Sequence, residues 1–163
     1  MKADTRSLAH SAVIAAAYVA LTAVSSVFGL AYGPVQFRLS EALCVLPKKY
    51  PAAVAGLFIG CLLTNVLSPY GLLDLVVGSL ATLIAALWSA RCRTNLGAAV
   101  SPVVVNALLV GALIAWQETG SLVSSSFFAA FAFNAVSVGL GEAVVCIAVG
   151  VPLLSFLAKY VHL

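Results

Sequence analysis

The sequence has very little charge. Lys and Arg contribute eight of the 163 residues and Asp and Glu five, together 8%, whereas an average soluble domain carries about 25%. Hydrophobic residues make up 63%. So few charged side chains cannot cover a soluble globule of this length. A soluble fold is therefore excluded, and disordered chains and disulfide-rich scaffolds are excluded with it.

Charge is absent altogether from four long runs, at residues 7–37, 50–73, 94–117 and 119–141. Each run is at least as long as the roughly 20 residues that a helix needs to cross a bilayer. The runs are continuously apolar and do not alternate with a period of two, so they indicate helices and not a β-barrel. The sequence therefore predicts an all-α, polytopic membrane protein with a single domain over residues 1–163.

Turn-forming residues divide this domain into six apolar segments, at 8–30, 39–46, 52–67, 72–90, 97–116 and 122–158. The second segment is only about half a span. The last would be about 55 Å long as one helix, beyond a hydrocarbon core of roughly 30 Å. We therefore expect the serine and phenylalanine cluster at 124–128 to be an interfacial lead-in, with the span itself starting near Phe131 or Asn134.

The basic residues predict the orientation of these six transmembrane helices. Seven of the eight fall on one side of a six-span topology: Lys2, Arg6, Lys48, Lys49, Arg91, Arg93 and Lys159. Because Lys and Arg accumulate in cytoplasmic loops, both termini are predicted to be cytoplasmic. Arg38 is the exception and needs another explanation.

Catalytic and cofactor-binding motifs are missing. The sequence has no histidine pair, nucleophile elbow, P-loop or GxGxxG motif, so we expect neither an enzyme nor a pump that uses ATP by itself, and no cofactor. Four cysteines, at positions 44, 61, 92 and 146, form no CxxC or Cys/His pattern. They are expected to be small buried residues and not metal ligands or disulfides.

Four ionisable residues lie within or next to the apolar segments, where each costs about 2.5–3.5 kcal/mol on insertion scales. Glu142 lies deep in the last segment and has no simple structural role. Asp74 starts the fourth segment and is either a site residue or a first-turn acid stabilised by the helix dipole. Arg38 and Glu41 lie three residues apart on one face, either as site residues or as an interfacial ion pair.

Amide and aromatic side chains are concentrated in the half of the membrane opposite the predicted cytoplasmic side, here called the outer half. Each amide has the alternative role of bridging two helices. Taken together, they predict a polar pocket that opens outward and suits a flat, polar, neutral-to-cationic molecule, although a sugar would need similar groups. The candidate ligand-binding residues are Gln36, Arg38, Glu41, Asn65, Tyr70, Asp74, Asn106, Asn134 and Glu142.

Small residues recur every four positions in two segments. Ala12, Ala16 and Ala20 do so in the first, and Gly56 and Gly60 in the third. Such spacing lets another helix approach closely. It indicates either packing within the bundle or a docking face for a partner membrane protein.

Three stretches resemble the QueT family of queuosine-precursor transporters: YGPVQFRLSEAL at 32–43, Leu46-Pro47, and NVLSPYGLLD at 65–74 running into GSLAT at 78–82. The resemblance implies a substrate-binding S component of an energy-coupling-factor (ECF) transporter, with six helices, in a prokaryotic plasma membrane. It implies a 7-deazaguanine ligand such as preQ1 or queuine. It also implies docking on a membrane coupling protein that carries two cytoplasmic ATPases, with Ala12, Ala16 and Ala20 facing that protein.

The chemistry of a 7-deazaguanine agrees with these residues. One carboxylate can accept both the N1–H and the exocyclic amine, and the cationic arm of preQ1 favours a second acid. Either Glu142 or Asp74 is expected to bind the guanine edge, Glu41 or the remaining acid to face the arm, and Arg38 or an asparagine to donate to the ring carbonyl. The alternatives are an S component for another vitamin, a proton-coupled secondary permease using Glu142, and a structural subunit or intramembrane enzyme.

Overall fold

A computed structural model describes residues 5–32 and 35–160, and throughout these residues the regular structure is helical, with no strand. The elements are α1 (Thr5–Val27), a 3₁₀ helix (Leu39–Lys48), α2 (Ala53–Asn65), α3 (Gly71–Arg91), α4 (Asn95–Thr119), α5 (Ser125–Val145), a π-helical turn (Cys146–Gly150) and α6 (Val151–Tyr160). The predicted break at Gly33-Pro34 and the charge of Lys2 lie outside the described residues. Each of the six predicted segments is helical, so the all-α fold class is confirmed.

The helices differ in length more than a bundle of six equal spans would. By length and composition, four can cross a membrane: Thr5–Val27, Gly71–Arg91, Asn95–Thr119 and Ser125–Lys159. α2 has 13 residues and the 3₁₀ helix 10, so each is about 20 Å long. The 3₁₀ helix ends at Lys48, directly after Pro47. The turn at Ser68-Pro69 follows α2. In the described part of the chain, four helices are therefore long enough to span a membrane and two are short, as expected for a polytopic membrane protein.

The last segment is one continuous helical run from α5 through the π turn into α6. Ser124 caps its start, because the Ser124 hydroxyl accepts a hydrogen bond from the Phe127 N–H at 3.1 Å. The serine and phenylalanine cluster is thus the first turn of the helix. The start of the membrane span itself, near Phe131 or Asn134, stays a prediction.

The 3₁₀ helix lies in the centre of the bundle. Every residue from Ser40 to Pro47 is buried, and the helix contacts all six α-helices. Gly150 in the π turn allows close packing here, since a Cβ at that position would lie 3.0 Å from the Ala42 carbonyl oxygen. The segment that carries Glu41 is therefore surrounded by protein and not by lipid.

Two glycines of α2 bring α1 close. A Cβ on Gly56 would lie 2.5 Å from the Ser11 carbonyl oxygen, and one on Gly60 would lie 2.7 Å from the Tyr18 Cβ. The predicted close approach at Gly56 and Gly60 is confirmed, and it aligns α1 so that Tyr18 reaches the 3₁₀ helix. The inward-facing side of α1 consists of its buried residues, Ser11, Ala15, Tyr18, Thr22 and Ser25.

Pro102 lies inside α4, where its missing N–H leaves the Ala98 carbonyl without the usual helical partner. Ser101 compensates, because its hydroxyl lies 2.9 Å from the Ala98 carbonyl oxygen and 3.0 Å from that of Ala85 on α3. A polar side chain thus satisfies the backbone in an apolar environment. It also links α4 to α3 below the polar residues described next.

Candidate functional site

The predicted site residues come together in the bundle but do not line an open mouth. Eight are at most 6% exposed, and Tyr70 is half-buried. The buried eight are Gln36, Arg38, Glu41, Asn65, Asp74, Asn106, Asn134 and Glu142. The expected outward-opening pocket is therefore replaced by a closed, packed polar cluster.

Glu41 and Glu142 form the inner part of this cluster. The Tyr18 hydroxyl donates to the Glu41 carboxylate, and the Cys44 thiol lies 3.0 Å from its second oxygen. Glu142 lies next to the Asn106 amide and 3.5 Å from the Cys146 thiol, and it interacts electrostatically with Glu41. Both carboxyl groups thus already have partners from the protein.

Arg38 does not pair with Glu41. Its Nε donates to the Ala31 carbonyl oxygen at 3.1 Å, and its guanidinium lies 5.0 Å from the centre of the Tyr32 ring. Its charge interacts with Glu41 and Asp74 at longer range. The alternative of an interfacial Arg38–Glu41 ion pair is therefore wrong, because Tyr18 and Cys44 occupy the carboxylate while the guanidinium turns toward Ala31.

Asn65 and Asp74 form the outer part, where the end of α2 meets the start of α3. The Asn65 amide donates to the Asp74 backbone oxygen at 3.0 Å and lies 3.5 Å from the Ser79 hydroxyl. Gly78 makes room for both side chains. Asp74 is in the first turn of α3, as the helix-dipole alternative requires. Asn65 Oδ1 and Asp74 Oδ2 are buried without a partner.

Asn134 on α5 is oriented by α4. Its amide nitrogen donates to Glu118 Oε2 at 2.9 Å and to the Ala130 carbonyl oxygen at 3.0 Å, which leaves Asn134 Oδ1 buried and unpartnered. Tyr70 is near enough to both Glu118 and Asp74 to interact with them electrostatically. Burial, together with the Asp74 and Glu118 carboxylates, raises the pKa of the Tyr70 phenol.

The unpartnered atoms of Asn65, Asp74 and Asn134 are all hydrogen-bond acceptors. Leaving a buried polar atom without a partner costs about 1–3 kcal/mol, more when it is charged. A fourth unpartnered atom among the described residues, the Ser89 hydroxyl, belongs to the other end of α3. Acceptors of this kind, on the outer parts of α2, α3 and α5, can bind a molecule that carries several N–H donors.

The segment before the 3₁₀ helix covers this cluster. A Cβ built on Gly141 would overlap the Gln36 carbonyl group, so that backbone rests directly on α5 beside Glu142. The first turn of the 3₁₀ helix, directly after this segment, is joined to α1 by a hydrogen bond of 2.7 Å between the Thr22 and Ser40 hydroxyls.

Ala12, Ala16 and Ala20 lie on the exposed side of α1. Together with Ile59 and Leu63 of α2, they line a shallow surface groove of about 560 Å³. Packing within the bundle, the first alternative for these alanines, is wrong, because the inward face of α1 is the one that carries Tyr18.

Sequence reasoning missed two residues of the cluster. Tyr18 belongs to a stripe of polar and small residues with helical spacing, from Ser11 to Ser25, and that spacing is a usable signal. Glu118 gives no such signal, because an exposed acid at a helix end is typical of any solvated terminus. Its contact with Asn134 exists only in three dimensions.

Comparison with known proteins identifies the chain. The family model for the QueT transporter matches residues 8–159. The Queuosine precursor transporter QueT of Lactococcus lactis subsp. cremoris (strain MG1363) is 41% identical over 86 residues, which are 51% of this chain. The matched part spans about half the length, 48%, of that relative. No solved structure matches. Both matches are to transporters and not to enzymes, and because the family model covers nearly the whole chain, the protein belongs to the QueT transporter family.

Proposed function

We propose that this protein is the membrane-embedded S component of an ECF transporter and binds a queuosine precursor, a 7-deazaguanine such as preQ1 or queuine. The observation that carries the proposal is the set of three buried acceptors without partners, on Asn65, Asp74 and Asn134. A guanine-type edge supplies N1–H and two amine hydrogens, which are the donors that such a set lacks.

Asp74 is the acid that binds the guanine edge in this proposal. Glu142 was the other candidate from the sequence for this edge, but Glu142, like Glu41, already has neighbouring donors from the protein. One carboxylate that accepts two parallel N–H groups makes a strong, oriented contact. Asn65 and Asn134 accept from the remaining donors. Arg38, close enough to Asp74 for electrostatic interaction, donates to the ring carbonyl.

The proposed partners are a membrane coupling protein and two cytoplasmic ATPases. Support comes from the alanine face of α1, which is exposed although it has the small-residue spacing of a helix–helix contact. The chain has no ATP-binding motif of its own. The basic residues predict that both termini are cytoplasmic, and the family resemblance implies a prokaryotic plasma membrane. In that membrane, α1 presents this face to the proposed coupling protein.

Uptake in cells tests the proposal. The chain is produced, with and without the coupling protein and ATPases, in a bacterium that neither makes nor imports queuosine precursors, and queuosine in tRNA is measured by mass spectrometry after preQ1 or queuine is added. The proposal predicts queuosine only when all partners are present. No queuosine in any arm would contradict the proposed substrate. Queuosine without the partners would instead favour the stand-alone permease.

A further inference from the structure

Glu118 reaches from an exposed position into the buried cluster. It lies in the last turn of α4, where its side chain is solvent-accessible, whereas Asn134 on α5 is 0% exposed. The 2.9 Å hydrogen bond from the Asn134 amide nitrogen to Glu118 Oε2 therefore links the surface to the interior. The proposed function gives Glu118 no role.

This contact decides which way the Asn134 amide faces. An ionised carboxylate and a backbone carbonyl can only accept hydrogen bonds. Glu118 Oε2 and the Ala130 carbonyl oxygen both lie on the same side of Asn134, at 2.9 and 3.0 Å. The reversed amide would place Oδ1 against two acceptors and lose two hydrogen bonds. The NH₂ group is thus held toward Glu118, and Oδ1 is the atom left unpartnered.

Asn65 also has its NH₂ group toward acceptors of the protein and its Oδ1 unpartnered, but other groups hold it in this orientation. There the amide donates to the Asp74 backbone oxygen, with the Ser79 hydroxyl and the Cys61 sulfur nearby. No charged side chain is needed, because Asp74 and Ser79 belong to the packed start of α3 and Cys61 lies one turn before Asn65 on α2. Of the three unpartnered acceptors, the one on Asn134 is held in place by an exposed acid.

We infer that Glu118 is a positioning residue of the ligand site: it fixes Asn134 as a hydrogen-bond acceptor and so requires the ligand to present an N–H donor at that position. The inference rests on the proposed function. Glu118 itself does not touch the ligand. Without it, the Asn134 amide has only the Ala130 carbonyl to orient it, and the reversed, donor-presenting conformation becomes accessible.

The test is a double-mutant cycle on ligand affinity. Binding of preQ1 to the full chain in detergent is measured by titration calorimetry for wild type, Glu118→Ala, Glu118→Gln, Asn134→Ala and the Glu118→Ala/Asn134→Ala double variant. Losing one oriented hydrogen bond predicts about tenfold weaker binding for Glu118→Ala. Glutamine still offers an acceptor oxygen, so Glu118→Gln should stay within about threefold of wild type. The double variant should bind no more weakly than Asn134→Ala.

Val123→Ala is the control, since Val123 is exposed at the same end of the bundle. Thermal unfolding of every variant separates lost affinity from lost folding. Wild-type affinity in Glu118→Ala would overturn the inference, as would additive effects in the cycle. An equal loss in Glu118→Gln would do so as well, since it would mean that charge attraction and not amide orientation is responsible. Absence of any binding by folded wild-type protein would overturn the proposed function together with this inference.

Discussion

At the scale of single residues, the site is defined by polar atoms that have no partner. In a bilayer no water competes to satisfy a buried amide or carboxylate, so such atoms are costly. Tyr18, Cys44 and Cys146 satisfy or adjoin the inner acids, yet the outer acceptors of Asn65 and Asp74 remain unpartnered. The proposed ligand, which supplies N–H donors, would account for this difference.

Asp74→Asn is predicted to weaken ligand binding strongly. The substitution keeps the shape of the side chain but removes the charge and places an NH₂ group where an acceptor is needed. A charge-assisted hydrogen bond contributes about 1.5–3 kcal/mol, so the Kd for preQ1 should rise roughly 10- to 100-fold. Equilibrium binding to purified protein measures this. Unchanged affinity, in a variant that unfolds at the wild-type temperature, would show that Asp74 does not bind the ligand.

Several of these residues could be predicted from sequence, because Asn65, Asp74, Asn134 and Glu142 interrupt apolar runs where polar side chains are rare. The sequence could not predict which of the acids lacks a partner within the protein. That depends on donors from distant parts of the chain, above all the Tyr18 hydroxyl of α1 at Glu41. No local pattern contains this pairing.

At the scale of elements, the central feature is a short 3₁₀ helix enclosed by longer helices. Hydropathy predicted its position and its half-span length, but could not distinguish 3₁₀ from α geometry, because both give a similar apolar pattern over ten residues. Pro47 inside it and the buried contacts on all sides favour the tighter winding. The helix brings Glu41 to the centre and leaves the preceding segment against α5.

Gly141→Ala is predicted to displace that segment. The added methyl group overlaps the Gln36 carbonyl, so overpacking should cost about 1–3 kcal/mol and weaken ligand binding. Gly139→Ala is the matched control, because its Cβ would meet only the Ala107 Cβ, at 3.3 Å. Both variants gain the same helix propensity, so the difference in thermal unfolding and preQ1 affinity isolates the contact. Equal behaviour of the two variants would contradict a tightly seated Gln36 segment.

Ala16→Leu is predicted to separate ligand binding from transport. Leucine would fill the small-residue groove on α1 and block the approach of a partner helix, while the inward face of α1 is untouched. Binding of preQ1 in detergent should be unchanged, and partner-dependent uptake in cells should be lost. Ala132→Leu, at an exposed position of α5, is the control and should transport normally. Normal uptake by Ala16→Leu would rule out this face as the docking surface.

At the scale of the whole molecule, the scarcity of charge sets the environment and the few exceptions mark the site. The apolar runs were enough to predict an all-α membrane protein with six helical segments. They did not predict that the polar cluster would be closed, because closure depends on how the Gln36 segment packs on Gly141 across the bundle. The closed cluster and the exposed alanine face both agree with the proposed S component, in which a partner drives release of the bound ligand.

Titration of purified wild-type protein with ligands that differ in their donors tests the central claim most directly. preQ1 is compared with its analogue that lacks the exocyclic amine of the guanine edge but keeps the aminomethyl arm, and so has two fewer N–H donors. The account predicts saturable one-to-one binding of preQ1 and at least tenfold weaker binding of the amine-free analogue, the loss expected for at least one hydrogen bond to a charged group. Equal affinity for both, or no binding of preQ1, would contradict it.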